Sequence, residues 1–296
     1  MVNFGPGNYK ICTNSFGFRV HCENKNIAKK NYKYALIGDS FTEGTFDYDE
    51  TYAGIFERKF KDTINLGVSS YSNIIYFSKI YHLIEKQNFN FDEVILFFDN
   101  TDIIQDQRYI LNNDNSIRIK NDLFSSKLES VWKRNNFKSF LHNNFKLSKQ
   151  IYLMLRDNLF TLDMIIFNDP RIDWAIYDES EFFQKRNIKD SIDYSLSFMH
   201  KLYSYLENKN IKFSLVIYPH PTQLLHSNKD SKIVKIFEEF CHKRCHNFVN
   251  LHDIFFDEVK LVGVKKVYKE YYIFRDFHFN RKGNQKVAEI LFNFYD

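Results

Sequence analysis

One serine in this chain stands where it could act as a nucleophile. In YALIGDSFTEG, residues 34–44, four mostly apolar residues run into Gly38, Asp39 and Ser40. A serine hydroxyl is a weak nucleophile until a base takes its proton. Acyl chemistry at Ser40 therefore needs a base, a carboxylate to orient that base, and donors for an oxyanion. The stretch FRDFHFNRKGNQKVAEILF, residues 274–292, offers the first two. Asp276 and His278 lie two residues apart, ahead of a helix expected to begin near Asn280 or Arg281. At that spacing an Asp can brace one imidazole nitrogen while the other faces a pocket. Alone, an Asp-x-His is more often a loop cap, so the pair gains meaning only beside Ser40.

Oxyanion donors are sought in two further places. NLGVSSYSN, residues 65–73, puts Gly67 at a strand end, where its N–H can be offered to a ligand; an ordinary glycine turn is the plain alternative. FFDNTDI, residues 97–103, carries Asp99, Asn100, Thr101 and Asp102. Of these, Asn donates from its amide and Thr from its hydroxyl, whereas an ionised Asp only accepts. A last polar cluster, VIYPHPTQL at 216–224, holds two prolines that rigidify a turn, with His220 and Gln223 as candidate substrate contacts. His220 is also a rival base, but no carboxylate adjoins it in sequence.

The elements that must position these residues alternate. YALIGD (34–39), TINLGVS (63–69), EVILFFDN (93–100), KFSLVIYPH (212–220) and NFVNLHDIF (247–255) read as strands. Their apolar runs are continuous, as in a parallel sheet covered on both faces. Helices are expected at roughly 50–60, 71–87, 189–209, 229–243 and 281–294. Such alternation predicts an α/β sandwich with right-handed crossovers. In an open parallel sheet, ligands bind beyond the carboxyl ends of the strands, where the polar clusters fall. Residues 103–188 are far longer than one crossover requires and are expected to form a helical insertion, with two helices between 121 and 160. Whether it forms a lid over the site or merely covers the sheet stays open at this point.

Taken together, IGDSFTEG, NLGVSSYS and DFHFNRKGNQKVA resemble three blocks of the SGNH hydrolase family, also called the GDSL family. That family is named for a Ser, a Gly, an Asn and a His in four separated blocks. The resemblance implies a three-layer α/β/α sandwich with a flavodoxin-like parallel sheet. It implies Ser40 as nucleophile and as oxyanion donor through its own N–H, Gly67 as a second donor, His278 as base and Asp276 as its partner. Most members space that last pair as Asp-x-x-His; the Asp-x-His here resembles bacterial polysaccharide O-acetyltransferases instead. TNSFGFR (13–19) resembles the lead-in of some bacterial members. The third block departs from the family's Gly-x-Asn-Asp, leaving either Asn100 or Thr101 as the third donor. Losing one such donor typically costs about 100- to 1000-fold in rate.

The bulk composition narrows the alternatives. The chain has 296 residues, of which 44% are hydrophobic and 18% aromatic, enough for one large domain with an ample core. A net charge of +4, with basic residues spread along the chain, argues against nucleic acid as partner. No apolar run reaches the roughly 18 residues of a membrane helix. No basic segment followed by an apolar stretch opens the chain, so a cytoplasmic location is expected, although an exported chain already relieved of its signal would read the same. Four cysteines are too few for a disulfide scaffold of this length. Cys241 and Cys245, with His242 and His246, have the spacing of half a metal site, but Ile233, Ile236, Phe237 and Phe240 put the cysteines on a buried helical face. The expectation is therefore a serine esterase acting on a small acyl ester, with acetyl on a carbohydrate favoured. It needs no cofactor and no metal. A carbohydrate O-acetyltransferase with the same triad and a catalytically impaired binding module are the alternatives.

Overall fold

The computed structural model describes residues 2–4, 7–26, 29–120, 170–176 and 188–296. Its centre is a five-stranded parallel sheet made of β1 (Asn31–Ile37), β2 (Thr63–Asn65), β3 (Asn90–Phe98), β4 (Lys212–Ile217) and β5 (Phe248–Asn250). The spatial order is β2-β1-β3-β4-β5, the flavodoxin-like order of doubly wound sheets. Leu36 lies opposite Asn65 on one side and Ile95 on the other, and Val216 pairs with Phe97 and Val249. The chain leaves β1 towards β2 and then returns past it to β3, so the topological switch point lies at the carboxyl end of β1. There the first polar cluster emerges.

The helices described are α1 (Ser40–Glu43), α2 (Tyr52–Lys59), α3 (Asn73–Gln87), α4 (Asp102–Asp106), α5 (Ile188–Asn208), α6 (Pro221–His226), α7 (Lys232–Cys241), α8 (Leu251–Val262), α9 (Val264–Tyr271) and α10 (Arg281–Tyr295). Alternate residues of each strand point to opposite faces. Ala35, Ile37, Leu96 and Phe98 pack with Tyr76 and Ile80 of α3, Met199 of α5 and Phe237 of α7. Leu36, Ile95, Phe97 and Val216 pack with Tyr52 and Phe56 of α2, Phe255 of α8 and Leu291 of α10. The result is a three-layer α/β/α sandwich. No helix among the described residues is long and apolar enough to cross a membrane.

Three expected strands prove much too long, and the run 63–69 is a strand only over Thr63–Asn65. The run 212–220 stops as a strand at Ile217, because Pro219 and Pro221 cannot donate to a ladder and Pro221 instead opens α6. The run 247–255 is a strand only over Phe248–Asn250; from Leu251 it is helical, with Asn250 Oδ1 accepting from the His252 N–H at 3.0 Å. Leu251, Phe255 and Phe256 recur at helical spacing, a pattern that a short apolar run leaves ambiguous. As a consequence α8 and α9 lie between the last strand and Asp276 and His278.

Of the insertion, the structure describes α4, an antiparallel hairpin pairing Tyr109–Leu111 with Ile117–Ile119, and a 3-10 turn at Pro170–Ala175. Trp174 in that turn is fully buried and donates its indole N–H to the Asn100 carbonyl at 2.8 Å, tying the insertion to the end of β3. The two helices expected between 121 and 160 lie outside the described residues. All four cysteines are paired, Cys12 with Cys22 and Cys241 with Cys245, which composition alone did not reveal.

Candidate active site

The nucleophile candidate is held by a tight strand-to-helix turn. β1 ends at Ile37, Gly38 follows, and Asp39 caps α1 by accepting the Phe41 N–H on Oδ1 at 3.0 Å. A Cβ on Gly38 would sit 2.2 Å from Thr42 Oγ1 and 2.9 Å from the Phe97 carbonyl, so only glycine lets the chain turn this closely. Ser40 is the first residue of α1, where a backbone N–H has no acceptor within the helix and the helix end favours negative charge. One helical turn does not sustain itself. Asn65 at the end of β2 holds α1 by donating from Nδ2 to the Thr42 carbonyl at 2.8 Å, and Thr42 Oγ1 bonds Tyr52 OH at 2.7 Å.

His278 comes to Ser40 from 238 residues away, with Nε2 2.8 Å from Ser40 Oγ. Its Nδ1 lies 2.6 Å from Asp276 Oδ1. The same oxygen accepts the His278 backbone N–H at 3.0 Å, so an Asx turn explains how an Asp-x-His can place the carboxylate on its own imidazole. Tyr268 fixes that loop by accepting the Arg275 N–H at 2.7 Å and donating to the Ile273 carbonyl at 3.1 Å. Asn280 then caps α10, where the sequence places the helix start. Burial alone would raise the Asp276 carboxyl, but its hydrogen bond to the His278 ring, the ring's charge and the backbone donors outweigh it and hold the group below its usual value. The Phe41 and Phe277 rings flank the His278 ring, with centroids 4.8 and 4.3 Å away.

The expected oxyanion donors are mostly engaged. Gly67 gives its N–H to Asn65 Oδ1 at 2.8 Å. Its lack of a side chain has a packing reason as well, since a Cβ there would meet Glu43 N at 2.5 Å and Thr42 C at 2.7 Å. Thr101 spends its one hydroxyl proton on Asp99 Oδ1 at 2.5 Å, and its backbone N–H bonds the same oxygen at 2.8 Å. Asn100 donates from Nδ2 to Gln223 Oε1 at 2.7 Å. An amide nitrogen carries two hydrogens, so Asn100, unlike Thr101, has a second one to offer.

His220 and Gln223 are almost completely buried and form the capping box of α6. Gln223 Oε1 accepts the His220 N–H at 2.8 Å as well as the Asn100 amide. The His220 ring stacks on Phe277 at 5.3 Å, and Phe277 stands between it and His278. Both residues are thus buried, and Gln223 links the His220 backbone to the Asn100 side chain.

Sequence reasoning missed a group of buried acids behind Ser40. Asp39 Oδ2 lies 3.2 Å from Ser40 Oγ, and burial followed by the charge of Asp99 pushes the Asp39 carboxyl up to about 7. Burial and the neighbouring acids raise Asp102 well above its usual range, and burial raises Asp106 to about 6. Asp106 accepts the Ile74 N–H at 3.0 Å and the Ser195 hydroxyl, fastening α3 to α5. The available signal was the number of Asp residues following apolar strand ends, in GDS and DNTD. Among the described residues no group of three or more His, Cys, Asp and Glu could hold a metal ion. Comparison of the chain with protein-family models gave no match, and comparison with curated proteins gave none either. The case for function therefore rests on the motifs and on this geometry.

Proposed function

We propose that this protein is a serine esterase or acyltransferase of the SGNH type, working on a small acyl ester through an acyl-Ser40 intermediate, with acetyl on a carbohydrate as the favoured substrate. The observation that supports it is the unbroken chain from Ser40 Oγ to His278 Nε2 at 2.8 Å and from His278 Nδ1 to Asp276 Oδ1 at 2.6 Å, at the carboxyl end of β1. In this reading His278 Nε2 takes the Ser40 proton as Oγ attacks the ester carbonyl. The tetrahedral oxyanion is held by the Ser40 N–H and the second Asn100 amide hydrogen, with the Gly67 N–H joining once it leaves Asn65. The C–O bond to the alcohol then breaks, and His278 hands its proton to the departing oxygen. Water activated by the same imidazole releases the acid; a sugar hydroxyl in its place gives transfer. Asp276 holds the imidazole with Nδ1 protonated throughout. The two cystines favour an oxidising compartment, in line with the exported alternative rather than the cytoplasmic expectation.

The engaged donors at Gly67 and Thr101 favour one competing reading, a binding module of the same fold with catalysis lost. A fluorophosphonate decides between the two. The esterase reading expects covalent labelling of wild type and none of Ser40→Ala or His278→Ala, with p-nitrophenyl acetate turnover lost in parallel and both variants folded. Equal labelling of wild type and Ser40→Ala would leave the binding module.

A further inference from the structure

The lead-in TNSFGFR ahead of β1 is not used by the triad, yet it delivers a buried cation to the nucleophile's helix. Arg19 is only 3% exposed, and among the described residues no carboxylate pairs with it. Its guanidinium instead donates to three backbone carbonyls, those of Glu43, Gly44 and Phe46. The Tyr9 and Tyr48 rings lie about its plane, with centroids 5.4 and 5.5 Å away. The Glu43 and Asp47 carboxylates act on this charge only from beyond pairing distance, and burying a charge without a paired counter-ion is costly, so the placement calls for a reason. The carbonyls supply one. They belong to the end of α1 and the segment just after it, where a helix leaves its last acceptors without intrahelical donors and carries partial negative charge.

The segment that carries Arg19 is itself braced. Cys12–Cys22 closes its base, Thr13 bridges Arg19, and the Val20 N–H bonds the Cys12 carbonyl at 3.0 Å. Asn14 Oδ1 accepts the Phe16 and Phe18 N–H groups at 3.0 and 3.1 Å, and the Phe16 and Phe18 rings pack on Phe89 at 5.0 and 5.8 Å. Asp39 therefore holds the one-turn helix at its start and Arg19 at its end. Ser40 lies between these two fixed points.

We propose that Arg19 is a positioning residue for the nucleophile: by clamping the carbonyls after α1 it sets where Ser40 Oγ stands relative to His278 Nε2. This rests on the reading of Ser40 as nucleophile. A planar fork with five donors spans three acceptors at once, whereas the ammonium of a lysine is a point charge and cannot reproduce the span. A nucleophile displaced by about 1 Å typically loses on the order of 100-fold in rate. Arg19 touches no substrate, so the loss should appear in kcat and leave KM nearly unchanged.

The test uses the full chain with Arg19→Lys, Arg19→Ala, and Arg19→Ala with added guanidinium ion. Turnover of p-nitrophenyl acetate, fluorophosphonate labelling rate, and amide hydrogen exchange at Glu43 and Gly44 are measured. Those two N–H groups bond Asp39 O and Ser40 O and close the turn of α1. The clamp predicts that Arg19→Lys loses at least about 10-fold in kcat with KM within about 2-fold, and that guanidinium restores part of the Arg19→Ala loss. It also predicts faster exchange at Glu43 and Gly44 with β3 amides unchanged. Labelling and exchange at wild-type rates in folded Arg19→Lys would overturn it. Should wild type label no faster than Ser40→Ala, the esterase reading fails, and the exchange measurement alone decides the clamp. If Arg19→Ala does not fold, Arg19→Lys carries both readouts.

Discussion

Replacing Asp276 by Asn tests a specific detail of the proposed triad, namely that one oxygen does two jobs. Asp276 Oδ1 accepts both the His278 backbone N–H at 3.0 Å and the ring Nδ1–H at 2.6 Å. In a triad whose carboxylate spreads its bonds over two oxygens, an Asn presents an NH2 to the imidazole, inverts the tautomer and costs about 10,000-fold. Here the Asn amide can keep its oxygen where Oδ1 stands and still accept both bonds. Turning the amide around would leave the His278 backbone N–H without its partner, a penalty of about 1–3 kcal/mol. The tautomer should therefore survive, and the loss reduces to that of a charge-assisted bond to the imidazolium, roughly 1.5–3 kcal/mol. At about 1.4 kcal/mol per decade, kcat should fall roughly 10- to 150-fold. The assay is kcat and kcat/KM for p-nitrophenyl acetate in wild type, Asp276→Asn and Asp276→Ala, with Ser40→Ala as background. A fall approaching 10,000-fold would refute the single-oxygen argument, and a fall under about 3-fold would remove Asp276 from the role of orienter.

Two further outcomes follow from the same geometry. Asn100→Ala should cost more than Thr101→Ala in kcat for p-nitrophenyl acetate, on the order of 100-fold or above, because only Asn100 keeps an uncommitted hydrogen; the reverse ranking would put the third donor at Thr101. Asp39→Asn should make stability less dependent on pH. The folded Asp39 carboxyl is pushed up to about 7 by burial and then by Asp99, against about 3.9 in an unfolded chain. Between those values the folded state binds the extra proton, so wild type loses stability as pH rises from about 4 to 7, by an amount on the order of a few kcal/mol. An Asn oxygen still caps Phe41 and does not titrate, so thermal unfolding should favour Asp39→Asn at pH near 8 and much less at pH near 5. An unchanged gap between the two would show that Asp39 does not titrate as argued.

The sheet was legible because its strands are buried on both faces, and such burial writes itself as continuous apolar runs such as ALI at 35–37 and VILFF at 94–98. The same rule fails where an apolar run is short. In NFVNLHDIF the apolar spacing does not distinguish three residues of strand followed by a helix from nine of strand; the Asn250 cap and the packing of Phe255 and Phe256 go with the helix. The approach of Ser40, His278 and Asp276 to one another was legible for a different reason. Their types carry the chemistry, and Asp276 reaches His278 through a turn closed within three residues, which sequence spacing encodes directly.

The proposed oxyanion donors were less legible because donor capacity is a property of the network, not of residue type. Gly67 qualifies by sequence, yet its N–H is held by Asn65, two residues upstream; Thr101 qualifies, yet Asp99 takes its proton. Both competing acceptors are local, and both are buried. A carboxylate or amide that accepts from such an N–H or hydroxyl also orders the strand end on which that donor sits. Asn65 shows the trade most clearly, since the side chain that occupies the Gly67 N–H also holds the Thr42 carbonyl of α1. The same residue that occupies the Gly67 N–H thus steadies the helix carrying Ser40. In the proposed mechanism, a substrate would then have to compete for only one hydrogen bond at Gly67, worth about 1 kcal/mol net, rather than build the turn that presents it.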